Sequence, residues 1–430
     1  MKHIAGIHAA GFSLAVVYGL MVWLAEPKLG LDLPSFGRLA LLAFAVYAAA
    51  CYLARKQQPV SAATLLTWSV VFRVIGLCGQ PILEDDYFRY LWDGYRLVTQ
   101  GTPYGQAPSA FFSDTTVAKA LVPALDQINH PDIPTLYGPA FEYVFGLAYW
   151  LAPGQLWPLK LLLSGIDMGL IVLLLRLTTP AKTLLYAWNP LVIKEIAFTA
   201  HPDGLIPALL LSSWLLTRRC NYLPAGLALA AAVSAKVSGW LMLPFFGLVL
   251  GRRGLSAFAV GYFLLYLPFL WQGQTGLDGL TVFAQQFEFN SALFGIAQLW
   301  LPGAWAKKIL GVLFLAGVGA YWLYYLRQHP NPALPRGDWL FGGLLLVSPV
   351  INPWYLLWLL PFAAVYPSIT AWVASAAVLL SYATGLNLED PSLTPYQHPA
   401  WVRPVEFGLI TVALAVDCYL ATIKTRPTRG

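Results

Sequence analysis

Apolar residues come in runs of roughly 20 along this chain, broken by short polar punctuation, and that length matches the hydrocarbon thickness of a bilayer. Runs at 4–25, 38–54 and 61–79 come first. Segments at 139–152, 157–178, 183–198, 203–217, 222–235, 237–250 and 254–271 follow, then 304–326, 338–350, 354–366, 368–385 and 405–423. The pattern predicts an all-α polytopic integral membrane protein of about 12–13 crossing helices in one transmembrane domain spanning 1–430. The first run has a weakly basic start and no small-residue cleavage site, and it leads directly into a second run. It reads as a retained helix, not a removed signal peptide.

One stretch breaks the pattern. Glu84 to Tyr104, EDDYFRYLWDGYRLVTQGTPY, is the most charge-dense segment of the chain. A helix from Asp86 onward puts Phe88, Leu91, Trp92, Tyr95 and Val98 on one apolar stripe, with Asp86, Arg89, Asp93 and Arg96 on another side. There Arg89 can pair with a carboxylate three or four residues away. A helix so rich in Trp and Tyr, starting where a span stops, is expected to lie in the interface plane. Asp85 and Asp86 fall at its N-terminus, where a single Asp is an ordinary cap. Three adjacent acids repel one another, which capping alone does not explain.

Composition narrows the class. Charged residues make up 11% of the chain, against about 25% in a soluble domain, and the mean hydropathy is +0.63. With the bilayer as solvent, the net charge of +6 speaks to loop topology and not to nucleic acid. The four cysteines (Cys51, Cys78, Cys220, Cys418) have neither metal nor redox spacing. By the positive-inside rule, Arg55-Lys56, Arg176/Lys182, Arg218/Arg219, Arg252/Arg253, Arg327/Arg336 and the basic tail belong inside. Residues 80–138, 272–303 and 386–404 are then outer loops, with Ser109 and Gln397 outside and Gln57 inside. The first of these is long, aromatic and rich in turn chemistry, as functional loops are. Seven segments between the first two outer loops is an odd number. The short 139–152, with Glu142 near its start, is the one that can dip in without crossing.

On this topology most polar residues lodged in apolar surroundings point outward together: Asp85, Asp86, His130, His201, Asp203, Lys236 and Asn352. Ionisable groups at membrane depth are costly and default to functional candidates. Each has a plainer reading. Lys236 can snorkel, His201-Pro-Asp203 can start a helix, and Asp167 is best read as a hydrogen-bonding partner for a neighbouring helix.

Asp85-Asp-Tyr-Phe-Arg-Tyr-Leu-Trp-Asp-Gly94 followed by Gly101-Thr-Pro-Tyr104 resembles the first outer loop of GT-C glycosyltransferases. The likeness is to the bacterial polyprenyl-phosphomannose-dependent mannosyltransferases. Further stretches that are similar are Ile128-Asn-His-Pro-Asp-Ile-Pro-Thr-Leu-Tyr137, Trp188-Asn-Pro190 with His201-Pro-Asp203, Ala235-Lys236, Phe289-Asn-Ser291, and Ser348-Pro349 with Pro353-Trp-Tyr-Leu-Leu-Trp358. Together they span about 60–366. Two positions depart from the pattern: Pro202 stands where relatives often have Asn, and Asn352 where they often have His.

The resemblance implies a GT-C type helix bundle with amphipathic juxtamembrane helices in the first outer loop, 80–138, as its catalytic loop. It implies an inverting transfer of a hexose, mannose favoured, from a polyprenyl-phosphate sugar to a glycan, lipid or protein acceptor. The setting is the outer face of a bacterial plasma (inner) membrane. Such chemistry needs a base for the acceptor hydroxyl and cations for the departing phosphate. The matched positions make Asp85 or Asp86 the base, with Lys236, Arg89 and His201 for the phosphate. Asp93, His130, Tyr137, Asp203, Asn290, Asn352 and Tyr355 are the remaining substrate-binding candidates. No cofactor is required on this reading, and the acid run leaves room for a divalent cation, Mg or Mn. The rivals are a secondary transporter, whose site would sit at the midplane on broken helices with internal repeats, and a lipid-linked oligosaccharide ligase, which would carry more basic residues in its outer loops.

Overall fold

The computed structural model describes residues 2–26, 31–56 and 60–425. Gln57 and the basic tail from 426 onward lie outside the described residues. Within them every regular element is helical, and one isolated bridge joins Phe289 to Val350. Among the described residues, six helices are long and apolar enough to cross a bilayer: Gly6–Leu24, Leu33–Lys56, Trp157–Leu177, Val237–Trp271, Gly303–Leu326 and Val402–Ile423. The protein is thus an all-α, multi-pass membrane protein. Gly303–Leu326 is apolar all round, yet only 6% of its apolar window is buried by the rest of the chain. A helix of that kind has lipid for its partner.

Several expected spans are not continuous helices. The 183–198 run divides into Pro180–Ala187, Pro190–Ile193 and a π-turn at Lys194–Phe198. Pro190 offers no N–H to continue the first helix, and the Asn189 side chain accepts from the Leu191 N–H at 2.9 Å to start the next. The 354–366 run likewise becomes a 3-10 turn, Pro353–Trp358, and a short helix, Leu360–Val365. The helix Leu243–Trp271 is interrupted at Gly251, whose φ of 63° and ψ of 176° are not helical.

The short segment 139–152 is not among the helices long and apolar enough to cross. Its helix, Pro139–Leu151, starts beside the end of Tyr222–Ala235, where the Gly138 N–H donates to Ala235 O at 3.0 Å. Its far end turns at Gly154 against Ala120 and Leu121, inside the same 80–138 loop that precedes it.

The Tyr87–Gln100 helix lies across this segment. Gly94 is required there, because a Cβ would stand 2.4 Å from Phe145 O. Tyr90 stacks on the Phe145 ring at 4.8 Å. The stripe read from sequence faces protein instead of an open interface: Leu91, Trp92 and Tyr95 bury against Phe111, Val117, Leu121, Leu125 and Ile128 of the same loop. Deep in the bundle, Asp167 accepts from Arg73 Nε at 2.8 Å and from Tyr186 OH at 2.6 Å, with Arg73 Nη2 at ion-pair distance, 2.7 Å. It is a helix-to-helix tie, as expected.

Candidate active site

The ends of the broken helices and the outer loops close around a cavity of about 660 Å³, within the ~300–1,000 Å³ usual for small-molecule sites. Of the residues singled out in the sequence, Asp85, Asp86, Arg89, His130, Tyr137, Lys236, Asn352 and Tyr355 line it. His201 and Asp203 lie one layer behind, fully buried. Two candidates lie elsewhere. Asp93 is buried on the Tyr87–Gln100 helix itself, away from the cavity lining. Asn290 is tied to Glu406 of the last helix by two hydrogen bonds of 3.0 and 3.1 Å.

The acid run enters after Leu83, whose φ of 58° turns the chain at the cavity wall. Asp86 occupies the cap position of Tyr87–Gln100, yet its side chain caps nothing. Its Oδ2 accepts instead from Tyr90 OH at 3.5 Å and lies 3.9 Å from His201 Nε2. The expected pairing of Arg89 with an acid on its own helix does not form. Its Nη2 donates instead to the carbonyls of His130 (3.2 Å) and Ile133 (3.0 Å), bracing the turn in which the Ile133 N–H also donates to His130 O at 3.1 Å. Asp85 Oδ1 accepts from Asn129 Nδ2. Burial and the adjacent Asp86 charge raise the Asp85 carboxyl to about 6. Burial also holds Glu84 well above the usual carboxylate range.

Lys236 does not snorkel. It is buried, donates to Asp203 Oδ1 at 2.9 Å, and sits 4.3 Å over the Tyr355 ring and 5.1 Å over Trp358. Trp358 Nε1 donates to the same Asp203 oxygen at 2.8 Å. Asp203 is therefore an anchor for the lysine and the 3-10 turn, not a helix cap.

Behind Asp86 lies a buried polar chain. His201 stacks on Trp354 at 3.9 Å and 10°. Its Nδ1 is 2.9 Å from Glu195 Oε2 and 3.0 Å from Thr199 Oγ1. Lys194 meets Glu195 Oε1 at 3.2 Å, and Tyr382 OH donates to that oxygen at 2.9 Å. The widened π-turn brings Lys194 and Glu195 inward together. The sequence reading passed over Glu195, although a Lys-Glu pair inside an apolar run was the available signal. Asn129 stood only inside the quoted Ile128–Tyr137 stretch with no role given to it, and Tyr396 lay outside every motif.

Glu84, Asp85 and Asp86 bring one carboxylate oxygen each within 4.8 Å of one another. Oxygen donors at that spacing suit a hard divalent cation. Burial raises two of these groups, Glu84 and Asp85, so the cluster can equally share protons.

Residues 20–252 match a family model described as alpha-(1->6)-mannopyranosyltransferase, N-terminal domain. No curated protein and no solved structure matches the chain. The matched stretch carries Asp85, Asp86, His201 and Lys236 and stops before Asn290, Asn352 and Tyr355. It covers more than half of the 430 residues, and the likeness seen in the first outer loop points the same way. The chain belongs to the alpha-(1->6)-mannopyranosyltransferase family, and is a mannosyltransferase built as a multi-pass helical membrane protein.

Proposed function

We propose that the protein moves mannose from a polyprenyl-phosphate donor to the 6-hydroxyl of an acceptor on the outer membrane face, with inversion at the anomeric carbon. The observation that carries this reading is the meeting of Asp85, Asp86 and Lys236 in one cavity at the loop end of the bundle. A lipid-borne sugar reaches such a site without leaving the bilayer. Asp85 is the base: a carboxyl raised to about 6 holds a proton more readily than an ordinary Asp and is still ionised near neutrality. As the acceptor oxygen bonds to C1, its proton passes to Asp85. The C1–O(phosphate) bond breaks, and its electron pair leaves on the polyprenyl phosphate.

Lys236 faces that developing charge. Its aromatic surround keeps the ammonium weakly hydrated, and Asp203 fixes its position. Asp86, which lines the same cavity as Lys236, can hold donor hydroxyls. His201 is turned to Glu195 and Asp86, so the phosphate role falls to Lys236, with Arg89 ordering the loop above. No cofactor is needed on this route, and the three-acid cluster would take a Mg or Mn ion as an accessory only.

The test is transfer of radiolabelled mannose from polyprenyl-phosphate mannose in sealed proteoliposomes of known orientation. Transfer is expected when donor and acceptor are offered on the loop face. Labelled solute accumulating in the lumen without a glycosylated product would overturn the reading.

A further inference from the structure

The mouth of the cavity is built differently from its floor. Three side chains from three separate outer loops meet there: His130 of 80–138, Phe287 of 272–303 and Tyr396 of 386–404. The His130 ring stacks on Tyr396 at 5.5 Å and 29° and meets Phe287 edge-on at 4.9 Å. A left-handed backbone at His130, φ 50°, holds its ring in this position. The floor offers the Lys236 ammonium, whereas the mouth offers ring faces and an amide.

The rings are joined to the acid run by a hydrogen-bond chain. Tyr396 OH donates to Asn129 Oδ1 at 2.7 Å, and Asn129 Nδ2 donates to Asp85 Oδ1. Desolvation and the facing Asp85 charge push the Tyr396 hydroxyl up to about 12, so it stays protonated and remains a donor. An amide can flip. A hydroxyl that donates to its oxygen leaves the NH₂ turned the other way, toward Asp85. Asp85 Oδ1 is then occupied, and the other carboxylate oxygen is left for an incoming hydroxyl.

We infer that this mouth is the acceptor subsite. A sugar ring lies on the shelf of His130, Phe287 and Tyr396, and Tyr396 acts through Asn129 as a positioning residue for Asp85. Ring faces backed by a few convergent polar groups are what a carbohydrate, apolar on its C–H faces and polar at its edge, requires. A phosphate would find no cation among these three side chains. The inference rests on the proposed transfer reaction and adds to it where the acceptor binds and what aims the base. It involves the 386–404 loop, which lies outside the family match at 20–252.

The hydroxyl and the ring of Tyr396 have separable duties, so two variants test them. The assay uses polyprenyl-phosphate mannose as donor and a soluble α-(1→6)-linked mannose disaccharide as acceptor. Tyr396→Phe keeps the ring and frees the amide: kcat is expected to fall about tenfold, the worth of one ordinary hydrogen bond, with the acceptor KM within twofold of wild type. Tyr396→Leu removes both functions, so kcat falls equally and the acceptor KM rises about tenfold. His130→Ala is expected to raise the acceptor KM alone. The donor KM stays unchanged in all three. A fully active Tyr396→Phe, or an unchanged acceptor KM in both Tyr396→Leu and His130→Ala, would overturn the subsite while leaving the transfer reaction intact. Absence of transfer by the wild-type enzyme from any polyprenyl-phosphate sugar would overturn both.

Discussion

Two regions of this protein bury acidic side chains, and they do so in opposite ways. In the bundle, Asp167 has both oxygens engaged, by the Arg73 guanidinium and the Tyr186 hydroxyl. At the cavity, Glu84, Asp85 and Asp86 crowd together with no lysine or arginine at ion-pair distance among the described residues, and only the His201 ring 3.9 Å from Asp86. Neighbours engage them only in part: Asn129 on one oxygen of Asp85, and a long contact from Tyr90 on Asp86. A charge needed only to hold helices together is neutralised on the spot. A charge kept under-compensated at a cavity wall is available to a substrate. The backbone follows the same division. The lipid-facing Gly303–Leu326 runs unbroken, while proline breaks, a π-turn and 3-10 turns gather where the chain delivers Lys194, Glu195, His201, Lys236 and Tyr355.

The comparison breaks most sharply at Asp85. Asp85→Asn should lower transfer by about 10²–10⁴-fold, the usual worth of a general base, with little change in the thermal unfolding midpoint. The matching change in the bundle, Asp167→Asn, should do the reverse. It leaves the Arg73 charge buried and uncompensated, a loss of about 3–5 kcal/mol, while the folded fraction turns over at the wild-type rate. Purified yield and melting temperature, set beside kcat, separate the two. Equal loss of rate in both would erase the distinction between the regions.

Lys236→Ala should raise the donor KM about tenfold, whereas Lys236→Arg, which keeps a positive charge at the same wall, should lose less. Equal behaviour of both variants in a donor-concentration series would remove Lys236 from the phosphate. A gentler probe is pH. Because Asp85 must be ionised to accept a proton and its carboxyl is raised to about 6, transfer should climb with pH, pass half its maximum near pH 6 and level off above neutrality. Asp86→Asn removes one of the charges responsible, so the midpoint of its residual activity should move to lower pH. An unmoved midpoint would assign the titration to another group. The smallest expected effect is that of chelation: EDTA should change the rate less than about twofold, since no step of the proposed displacement requires a metal. A loss restored by added Mg or Mn would turn the acid cluster into a metal site.

Much of this division was legible in the residues alone. Apolar run length predicted a polytopic helical protein, and charge density singled out the 84–86 acids, because the bilayer makes both features costly to misplace. The helical stripe of Leu91, Trp92 and Tyr95 was also readable, but not what it would face. Periodicity reports a buried side, and here the 80–138 loop supplies its own cover at Phe111, Leu121 and Ile128. Arg89 illustrates a second limit. Its sequence neighbours offered carboxylates, but folding brought the His130 and Ile133 carbonyls nearer, across more than forty residues. Contacts between Asn129 and Tyr396, or Glu195 and Tyr382, join points so distant along the chain that no local pattern encodes them.

The central claim is a single displacement at the anomeric carbon of a lipid-phosphate sugar. Its most direct test is the stereochemistry of the product. Reconstituted enzyme would be given polyprenyl-phosphate β-mannose and a defined mannose acceptor, and the new linkage assigned by NMR and by digestion with an α-mannosidase. The account predicts an α-(1→6)-linked mannose, released by the α-mannosidase. A β-linked product, which would mean retention through two successive displacements, would contradict it.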